Sequence, residues 1–481
     1  MLKARKLFLS TILTVTCAAL ATAQPRANSS EAKKIDSLMR LYHQAGQFNG
    51  VVLVRERDQV IYRKAFGYAN FEWNVPNSPE TRFRIGSLTK SFTTILTLQL
   101  IEQRKLKLDA KITEYLPNFS AKTGDRITVN QLLTHTSGLP DYNNVPEFFR
   151  LVHSGLLTEA EILKKVSEYD LLFEPGTKFG YSNDGYRVLG AIIEKVAGRP
   201  YAEVLKERVL DVAGMRNSGY VNRTAIVSER ATGYRKPLAR LEIAPYYEAS
   251  PASGMYSTLD DLSRWAQALD GESLLSSKSK ALMWSISPYG NAYGWHVSKA
   301  ADGQGVKIMS EGAVPGFFAR FVKLPNNKGT IILLTNIRGS TNFLPQIEEG
   351  IANIFLGKTY ELPKKSLAEV LYATLQANGI SAAVNQYREL KRADRLAFNF
   401  AESELHDLGY ELLRIKRVAD AIEIFKLNIE AYPKSSDAYD SLGEAYANIG
   451  DKERTIENYR KSVELNPSNE NAIQMLKKLQ Q

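Results

Sequence analysis

The chain from Arg84 to Thr94 reads Arg-Ile-Gly-Ser-Leu-Thr-Lys-Ser-Phe-Thr-Thr. A mostly apolar run continues to Ile101, so the stretch predicts a buried helix with a polar tip. Ser87 and Lys90 are three residues apart, and side chains at that spacing are neighbours on a helix. Burial and the positive end of a helix both lower the pKa of a lysine, so its neutral amine can accept a serine proton. The stretch therefore predicts a Ser–Lys pair for acyl transfer.

The Ser-x-x-Lys spacing alone is not specific, because the chain contains it at Ser30/Lys33, Ser87/Lys90 and Ser277/Lys280. The ordinary interpretation of one such match is a helix-capping serine followed by a solvated lysine. Only Ser87 precedes a long apolar run, where a lysine needs a chemical reason to be present. Other motifs must therefore support the assignment.

The first 23 residues predict a secretory signal peptide. They combine a basic start, an apolar run and a small-residue cleavage site that ends at Ala23. The apolar run is too short to span a membrane. The only cysteine, Cys17, lies within it, so the mature chain has neither disulfides nor thiolate metal ligands. We therefore expect a periplasmic or secreted bacterial protein without a membrane span.

Charge is distributed unevenly along the chain. The net charge is +10, but the residues from Ser366 to the end carry a net charge of −3. This asymmetry predicts two folded units with different roles. The basic residues are dispersed and do not alternate with aromatic ones, so no nucleic-acid partner is expected.

Apolar runs predict strands at both ends of the first unit, around a helical middle. An amphipathic helix with apolar positions from Leu189 to Ala197 lies in that middle. We expect an α+β fold, in which an antiparallel sheet is closed by both ends of the unit and carries a helical subdomain. The predicted strands are 50–54, 60–62, 293–297, 306–310, 317–324 and 330–335.

Beyond a linker at residues 361–365, the chain repeats with a period of 34 residues. Leu408, Gly409 and Pro433 recur as Leu442, Gly443 and Pro467. The period and pattern resemble tetratricopeptide repeats, and the alternative is two unrelated amphipathic helix pairs. Residues 367–390 are a candidate for a degenerate first unit. We therefore predict a hydrolase domain at residues 24–360 and an all-α repeat domain at residues 366–481, with a possible protein partner for the repeats.

A Ser–Lys pair needs a group that relays the proton and an amide that orients the substrate. A Tyr-x-Asn triplet supplies both, but it occurs six times in the chain. The triplet at Tyr181 and Asn183 is the one that lies in a glycine-bounded loop directly before an amphipathic helix. The alternative interpretation of Tyr181 is a tyrosine that only packs.

Taken together and in order, these motifs resemble the serine β-lactamase and penicillin-binding family, especially its class C, carboxypeptidase and esterase branch. The resemblance implies that Ser87 is acylated, that Lys90 is its base and that Tyr181 passes the proton to the leaving group. Asn183 would hold the substrate amide. The resemblance covers about residues 32–356 and rests on the stretches 86–91, 132–139, 181–183, 252–258 and 315–317.

The third motif departs from the family pattern. The resemblance implies Lys-Thr-Gly or His-x-Gly on a strand, but the corresponding residues here are Ser310, Glu311 and Gly312. The usual cation helps to bind a substrate carboxylate, and Ser310 carries no charge. The oxyanion hole needs only backbone N–H groups, which would come from Ser87 and Ala313. Glu311 is either a plain strand residue or a group that favours cationic substrates. Candidates for a substitute cation are Lys307, Arg320 and Arg338.

We therefore predict a secreted serine hydrolase that forms an acyl-enzyme on Ser87 and acts on small esters or on D-amino-acid amides or peptides. The alternative is a catalytically weak or inactive scaffold that binds peptide or protein partners through its repeats. The missing cation and the added repeats favour that alternative. No cofactor is expected, and the five histidines lack the spacing of paired metal ligands, so no metal site is predicted.

Overall fold

The computed structural model describes residues 29–142, 145–221, 224–236, 238, 240–299, 305–325, 329–339 and 342–480. The predicted signal peptide lies outside these residues. The strands, in chain order, are β1 (Gly50–Glu56), β2 (Gln59–Phe66), β3 (Tyr68–Asn70), β4 (Val75–Pro76), β5 (Phe83–Arg84), β6 (Gly219–Tyr220), β7 (Tyr234–Lys236), β8 (Glu242–Ile243), β9 (Met255–Ser257), β10 (His296–Lys299), β11 (Val306–Val314), β12 (Phe317–Leu324), β13 (Gly329–Thr335), β14 (Ile337–Gly339), β15 (Lys365–Ser366) and β16 (Phe398–Asn399).

Helices fill the middle and the C-terminal part of the chain. In chain order they are α1 (Ser30–Gln44), α2 (Thr89–Glu102), α3 (Ile112–Tyr115), α4 (Ala121–Gly124), α5 (Val129–Leu133), α6 (Pro146–Ser154), α7 (Glu159–Ser167), α8 (Asn183–Ala197), α9 (Tyr201–Leu205), α10 (Leu259–Asp270), α11 (Ser277–Met283), α12 (Leu344–Phe355), α13 (Leu367–Asn378), α14 (Ile380–Ala393), α15 (Glu402–Arg414), α16 (Val418–Ala431), α17 (Ser436–Asn448), α18 (Lys452–Leu465) and α19 (Glu470–Gln480). A 3₁₀ turn, Gly86–Leu88, precedes α2, and a π turn, Lys206–Leu210, follows α9.

The central sheet has the strand order β10-β11-β12-β13-β1-β2, and neighbouring strands are antiparallel. Strands from both ends of the first unit meet where β1 pairs with β13, for example at Leu53 and Ile332. This confirms the predicted α+β sheet closed by both ends. Residues that alternate along β1 face opposite cores. Val51 and Leu53 pack on the helical middle, whereas Val52 and Val54 pack under α1 and α12.

Helix α2 runs through the main core. Residues 89–98 of this helix are buried without exception, which explains why the stretch shows no polar face in the sequence. Phe92 stacks on Trp265 with ring centroids 4.2 Å apart. The helix is therefore held rigidly, and the polar residues in its first turn are fixed relative to the sheet.

Strand β10 begins later in the chain than the sequence predicts. The sequence predicts a strand at residues 293–297, but β10 starts at His296. Gly294 has a φ of 71°, in the left-handed region, so the chain turns there before it can enter the sheet. In contrast, β11 continues past residue 310 to Val314, and this extension carries the backbone of the third motif.

The C-terminal part consists of antiparallel helix pairs, as predicted. Gly409 and Gly443 lie at equivalent helix crossings, and a Cβ on Gly409 would come within 2.3 Å of the Phe425 ring. Helices α13 and α14, which span the candidate degenerate unit at residues 367–390, pack against each other. The repeats contact the first unit through a salt bridge of 2.7 Å between Lys236 and Glu369. Among the helices of the described ranges, none is both long enough and apolar enough to cross a membrane.

Candidate active site

Ser87 lies in the 3₁₀ turn that joins β5 to α2. The turn is possible because Gly86 has a φ of 52°, which a residue with a side chain adopts only at a cost. The Thr89 hydroxyl donates a hydrogen bond of 2.7 Å to the Gly86 carbonyl and so secures the first turn of α2. As a result, the Ser87 hydroxyl is presented at the tip of a buried helix.

Lys90 is buried, with 3% of its surface exposed. Its Nζ lies 3.1 Å from Ser87 Oγ, 2.6 Å from Asn183 Oδ1 and 3.0 Å from the carbonyl oxygen of Ala252. Burial lowers the pKa of Lys90 to about 7, and the nearby charge of Asp141 works against that shift. Lys90 is therefore partly neutral near pH 7.

Tyr181, in the loop before α8, and Asn183, the first residue of α8, reach the same point. Tyr181 Oη is 2.9 Å from Ser87 Oγ and 3.4 Å from Asn183 Oδ1. Asn183 donates from Nδ2 to Asp141 Oδ2 over 2.7 Å, which fixes the orientation of its amide. Tyr181 is 44% exposed at the mouth of the cleft. Its hydroxyl nevertheless lies among these polar groups, and burial there raises the pKa of Tyr181, while the hydrogen bond with Ser87 opposes the shift.

Strand β11 packs directly against the Ser87 turn. A Cβ on Gly312 would lie 2.5 Å from the backbone nitrogen of Ser87, and a Cβ on Gly86 would lie 2.6 Å from that of Ala313. The two backbones approach this closely because both positions lack a side chain. The N–H groups of Ser87 and Ala313 thus belong to facing backbone segments at one end of the cleft.

Ser310 is buried at the position of the third motif, and its hydroxyl donates to the carbonyl of Gly294 over 3.4 Å. It brings no charge into the cleft. Within the described residues, β10 pairs with residues 306–309, so this part of β11 extends beyond the end of β10.

The candidate substitute cations are placed elsewhere. Arg320 binds Glu311 over 2.5 Å and the buried Glu348 over 3.0 Å, and Lys307 binds Glu348 over 3.3 Å. Arg338 lies in β14, outside the central sheet. None of these three cations lines the described part of the cleft.

The cleft has a volume of about 230 Å³ and is lined mainly by aromatic and backbone groups. The predicted residues Ser87, Lys90, Tyr181, Ser310, Glu311, Gly312 and Ala313 all line it, and Asn183 lies behind them. The other lining residues are His135, Phe179, Asn291, Ala292, Gly294, Trp295, His296 and Phe318.

Sequence reasoning did not identify several of these groups. Asp141, which orients Asn183, directly follows the quoted 132–139 stretch and Pro140, so its position was the available signal. His296 is separated in sequence from the other site residues and has no motif around it. His135 lies within the quoted stretch 132–139, but its sequence position does not show which side chains its ring contacts.

Comparison with known proteins identifies the families that the two parts of the chain resemble. The family model described as Beta-lactamase matches residues 35–354. The chain belongs to the beta-lactamase family. A second model, described as Tetratricopeptide repeat, matches residues 436–469. Both resemblances inferred from the sequence are confirmed.

Relatives of this beta-lactamase family member include a penicillin-binding protein of Bacillus subtilis (strain 168). It is 28% identical over 360 residues, which cover 70% of this chain and 78% of the relative. A penicillin-binding protein from Bacillus halodurans is 26% identical, with a TM-score of 0.57 over 65% of this chain and 98% of that one. EstCE1, described as a hydrolase with promiscuous acyltransferase activity, is also 26% identical, with a TM-score of 0.57 over 68% and 98% of the two chains. The chain therefore belongs to a family of serine β-lactamase-like and penicillin-binding-like hydrolases.

Proposed function

We propose that this protein is an active serine hydrolase that forms an acyl-enzyme on Ser87 and prefers small neutral esters, or amides of D-amino acids and their peptides. The hydrogen bonds of Lys90 carry the proposal. A neutral amine has two N–H donors and one lone pair. The oxygens of Asn183 and Ala252 accept from Nζ at 2.6 and 3.0 Å, so they use both donors. The remaining tetrahedral direction, toward Ser87 Oγ at 3.1 Å, then holds the lone pair that can accept the serine proton.

In the proposed reaction, Ser87 Oγ attacks the carbonyl carbon of the substrate as its proton moves to Lys90 Nζ. The negative charge on the carbonyl oxygen is stabilised by the N–H groups of Ser87 and Ala313. The bond to the leaving group breaks, and Tyr181 passes a proton to that group and regains one from Lys90. A water molecule then attacks the acyl carbon, and its proton passes through Lys90 and Tyr181 to Ser87 Oγ. The Oγ–carbon bond breaks, and the acid and free Ser87 are released.

The preference for neutral substrates follows from the charges around the cleft. Ser310 replaces the cation of the third motif, and Lys307 and Arg320 are bound to Glu348. The aromatic lining of the cleft suits an uncharged acyl group. The alternative of an inactive scaffold is less well supported, because an inactive protein has no need of a buried lysine beside Ser87.

We also propose that the protein works outside the cytoplasm, because residues 1–23 have the pattern of a secretory signal peptide. We propose cleavage after residue 23, a hydrolase domain at residues 24–360 and a repeat domain at residues 366–481 that binds a protein partner. The proposed location is the periplasm or the exterior of the cell.

A fluorophosphonate probe, which reacts with activated serines, tests the proposal. We expect peptide mass spectrometry to find the adduct on Ser87, and Ser87→Ala to abolish both labelling and hydrolysis of nitrophenyl acetate while the protein stays folded. Ser277→Ala is the matched control, because Ser277 has the same spacing to a lysine and should leave both unchanged. Labelling of Ser30 or Ser277 in place of Ser87 would refute the assignment, and absence of labelling with a folded protein would favour the scaffold.

A further inference from the structure

His135 is a buried titratable residue that the proposed reaction does not use. It lies two residues after α5 and is 6% exposed. Its φ is 54°, in the left-handed region that residues with side chains rarely adopt. Such backbone strain persists only where surrounding contacts enforce it, and it is frequent at functional sites. Several of the contacts that enforce it here involve the loop that carries Tyr181.

Four contacts join His135 to that loop, and one of them is an edge-to-face contact with the Phe179 ring at 6.0 Å. The backbone carbonyl of His135 accepts a hydrogen bond of 2.8 Å from the N–H of Gly180. Its Nδ1 accepts one of 3.2 Å from the N–H of Ser182. Its ring stacks on the Tyr181 ring, with centroids 4.6 Å apart and planes 29° apart. His135 thus holds Gly180 with its backbone carbonyl, Tyr181 with its ring and Ser182 with its Nδ1.

These contacts require a neutral imidazole with its proton on Nε2, because Nδ1 must accept from Ser182. The site maintains that state. Burial holds the pKa of His135 well below the usual histidine value, and the positive charge of Lys90 acts in the same direction. The ring also packs 5.0 Å from the Tyr186 ring, so it has no space to turn away.

We propose that His135 is a positioning residue that holds the Tyr181 hydroxyl within hydrogen-bond reach of Ser87. The inference rests on the proposed function, since Tyr181 must act in the reaction for its position to matter. A displacement of a reacting group by about 1 Å costs on the order of 100-fold in rate. The contacts of His135 act on the segment that sets this distance.

Two variants separate the contacts. His135→Phe keeps an aromatic ring for the stack but removes the Nδ1 acceptor. His135→Asn keeps a short acceptor and tolerates a positive φ better, but removes the ring. We expect either variant to lower kcat for nitrophenyl acetate by about 10- to 100-fold, with KM changed less than about twofold. If His135→Phe does not fold, His135→Asn still provides the measurement.

The deciding experiment repeats both substitutions in a Tyr181→Phe background. If His135 acts through the Tyr181 hydroxyl, neither should lower kcat further there, so the effects are not additive. His153→Phe is the matched control, because the half-buried His153 also packs on a tyrosine ring, at 4.1 Å from that of Tyr247, and accepts a backbone N–H. It should change stability without this dependence on Tyr181.

An equal loss of kcat in both backgrounds would overturn the proposal, because it would mean that His135 supports the fold generally. Unchanged kcat in both single variants would also overturn it. If Tyr181→Phe alone has no effect while Ser87→Ala is inactive, His135 has no hydroxyl to position and the inference fails, although the acyl-enzyme survives. Activity in Ser87→Ala would instead overturn the proposed function itself.

Discussion

Replacing Lys90 with arginine removes the proposed base and keeps the positive charge. Arginine stays protonated at all working pH values, so it cannot accept the proton of Ser87. We expect Lys90→Arg to lower kcat/KM by about 10²- to 10⁴-fold, the usual contribution of a general base. The wild-type rate should rise with pH, because the deprotonated amine is the active form.

The expected pH dependence of the wild-type rate follows from the burial of Lys90, which lowers its pKa to about 7. At pH 7 about half of such amines are neutral, whereas an ordinary lysine would be neutral in roughly one molecule in three thousand. The shift corresponds to a cost of about 5 kcal/mol for keeping the protonated amine in this site. The rate should therefore fall about tenfold per pH unit below pH 6 and become level above about pH 8.

The assay is kcat/KM for nitrophenyl acetate between pH 5 and pH 9, read at a wavelength where both forms of nitrophenol absorb equally. Lys33→Arg is the control, because Lys33 has the same spacing to a serine but is exposed. Asp141→Asn gives a second check. The charge of Asp141 raises the pKa of Lys90, so its removal should move the midpoint to lower pH.

A Lys90→Arg variant with wild-type activity would refute the reasoning and indicate another base. A midpoint near pH 10 in the wild type would contradict the claim that burial keeps the amine neutral. Measurement of unfolding at each pH separates both outcomes from loss of the folded state.

Two further predictions concern the third strand motif. Gly312→Ala would place a methyl group 1.9 Å from the carbonyl oxygen of Ile85, so we expect β11 to shift and kcat/KM to fall about 100-fold. The control Gly271→Ala should have little effect, because its methyl group would lie 3.9 Å from the Ala268 carbonyl oxygen. Full activity of Gly312→Ala would contradict the close approach of the two backbones. Ser310→Lys combined with Glu311→Thr should raise kcat/KM for a carboxylate ester, relative to a matched neutral ester, by roughly 10- to 100-fold. A preference for the carboxylate ester in the wild type would show that another cation already serves the site.

Local patterns in the sequence predicted most of the architecture. The apolar run after Ser87 predicts a buried helix because helix formation and burial depend on side chains close together in the chain. The 34-residue period predicts helix pairs for the same reason, and both Gly409 and Gly443 lie at the crossings that the repeat implies. The sequence predicts the strand at residues 293–297 too early, because Gly294 turns the chain where it lies beside Lys90 and Tyr186, which are remote in the sequence.

The chemistry of the site was decided only by tertiary structure. The sequence placed Ser87 beside Lys90, but the oxygens that accept hydrogen bonds from the Lys90 amine belong to Asn183 and Ala252, more than 90 residues away. Likewise, the sequence left Arg320 as a candidate cation, and only the fold pairs it with Glu348. Charge state and orientation depend on burial and on partners brought together from remote parts of the chain, since those contacts set the local solvation and electric field. The sequence by itself therefore determined which reactive groups are present, and the packing of distant segments determined which of them are neutral, paired or aimed at the nucleophile.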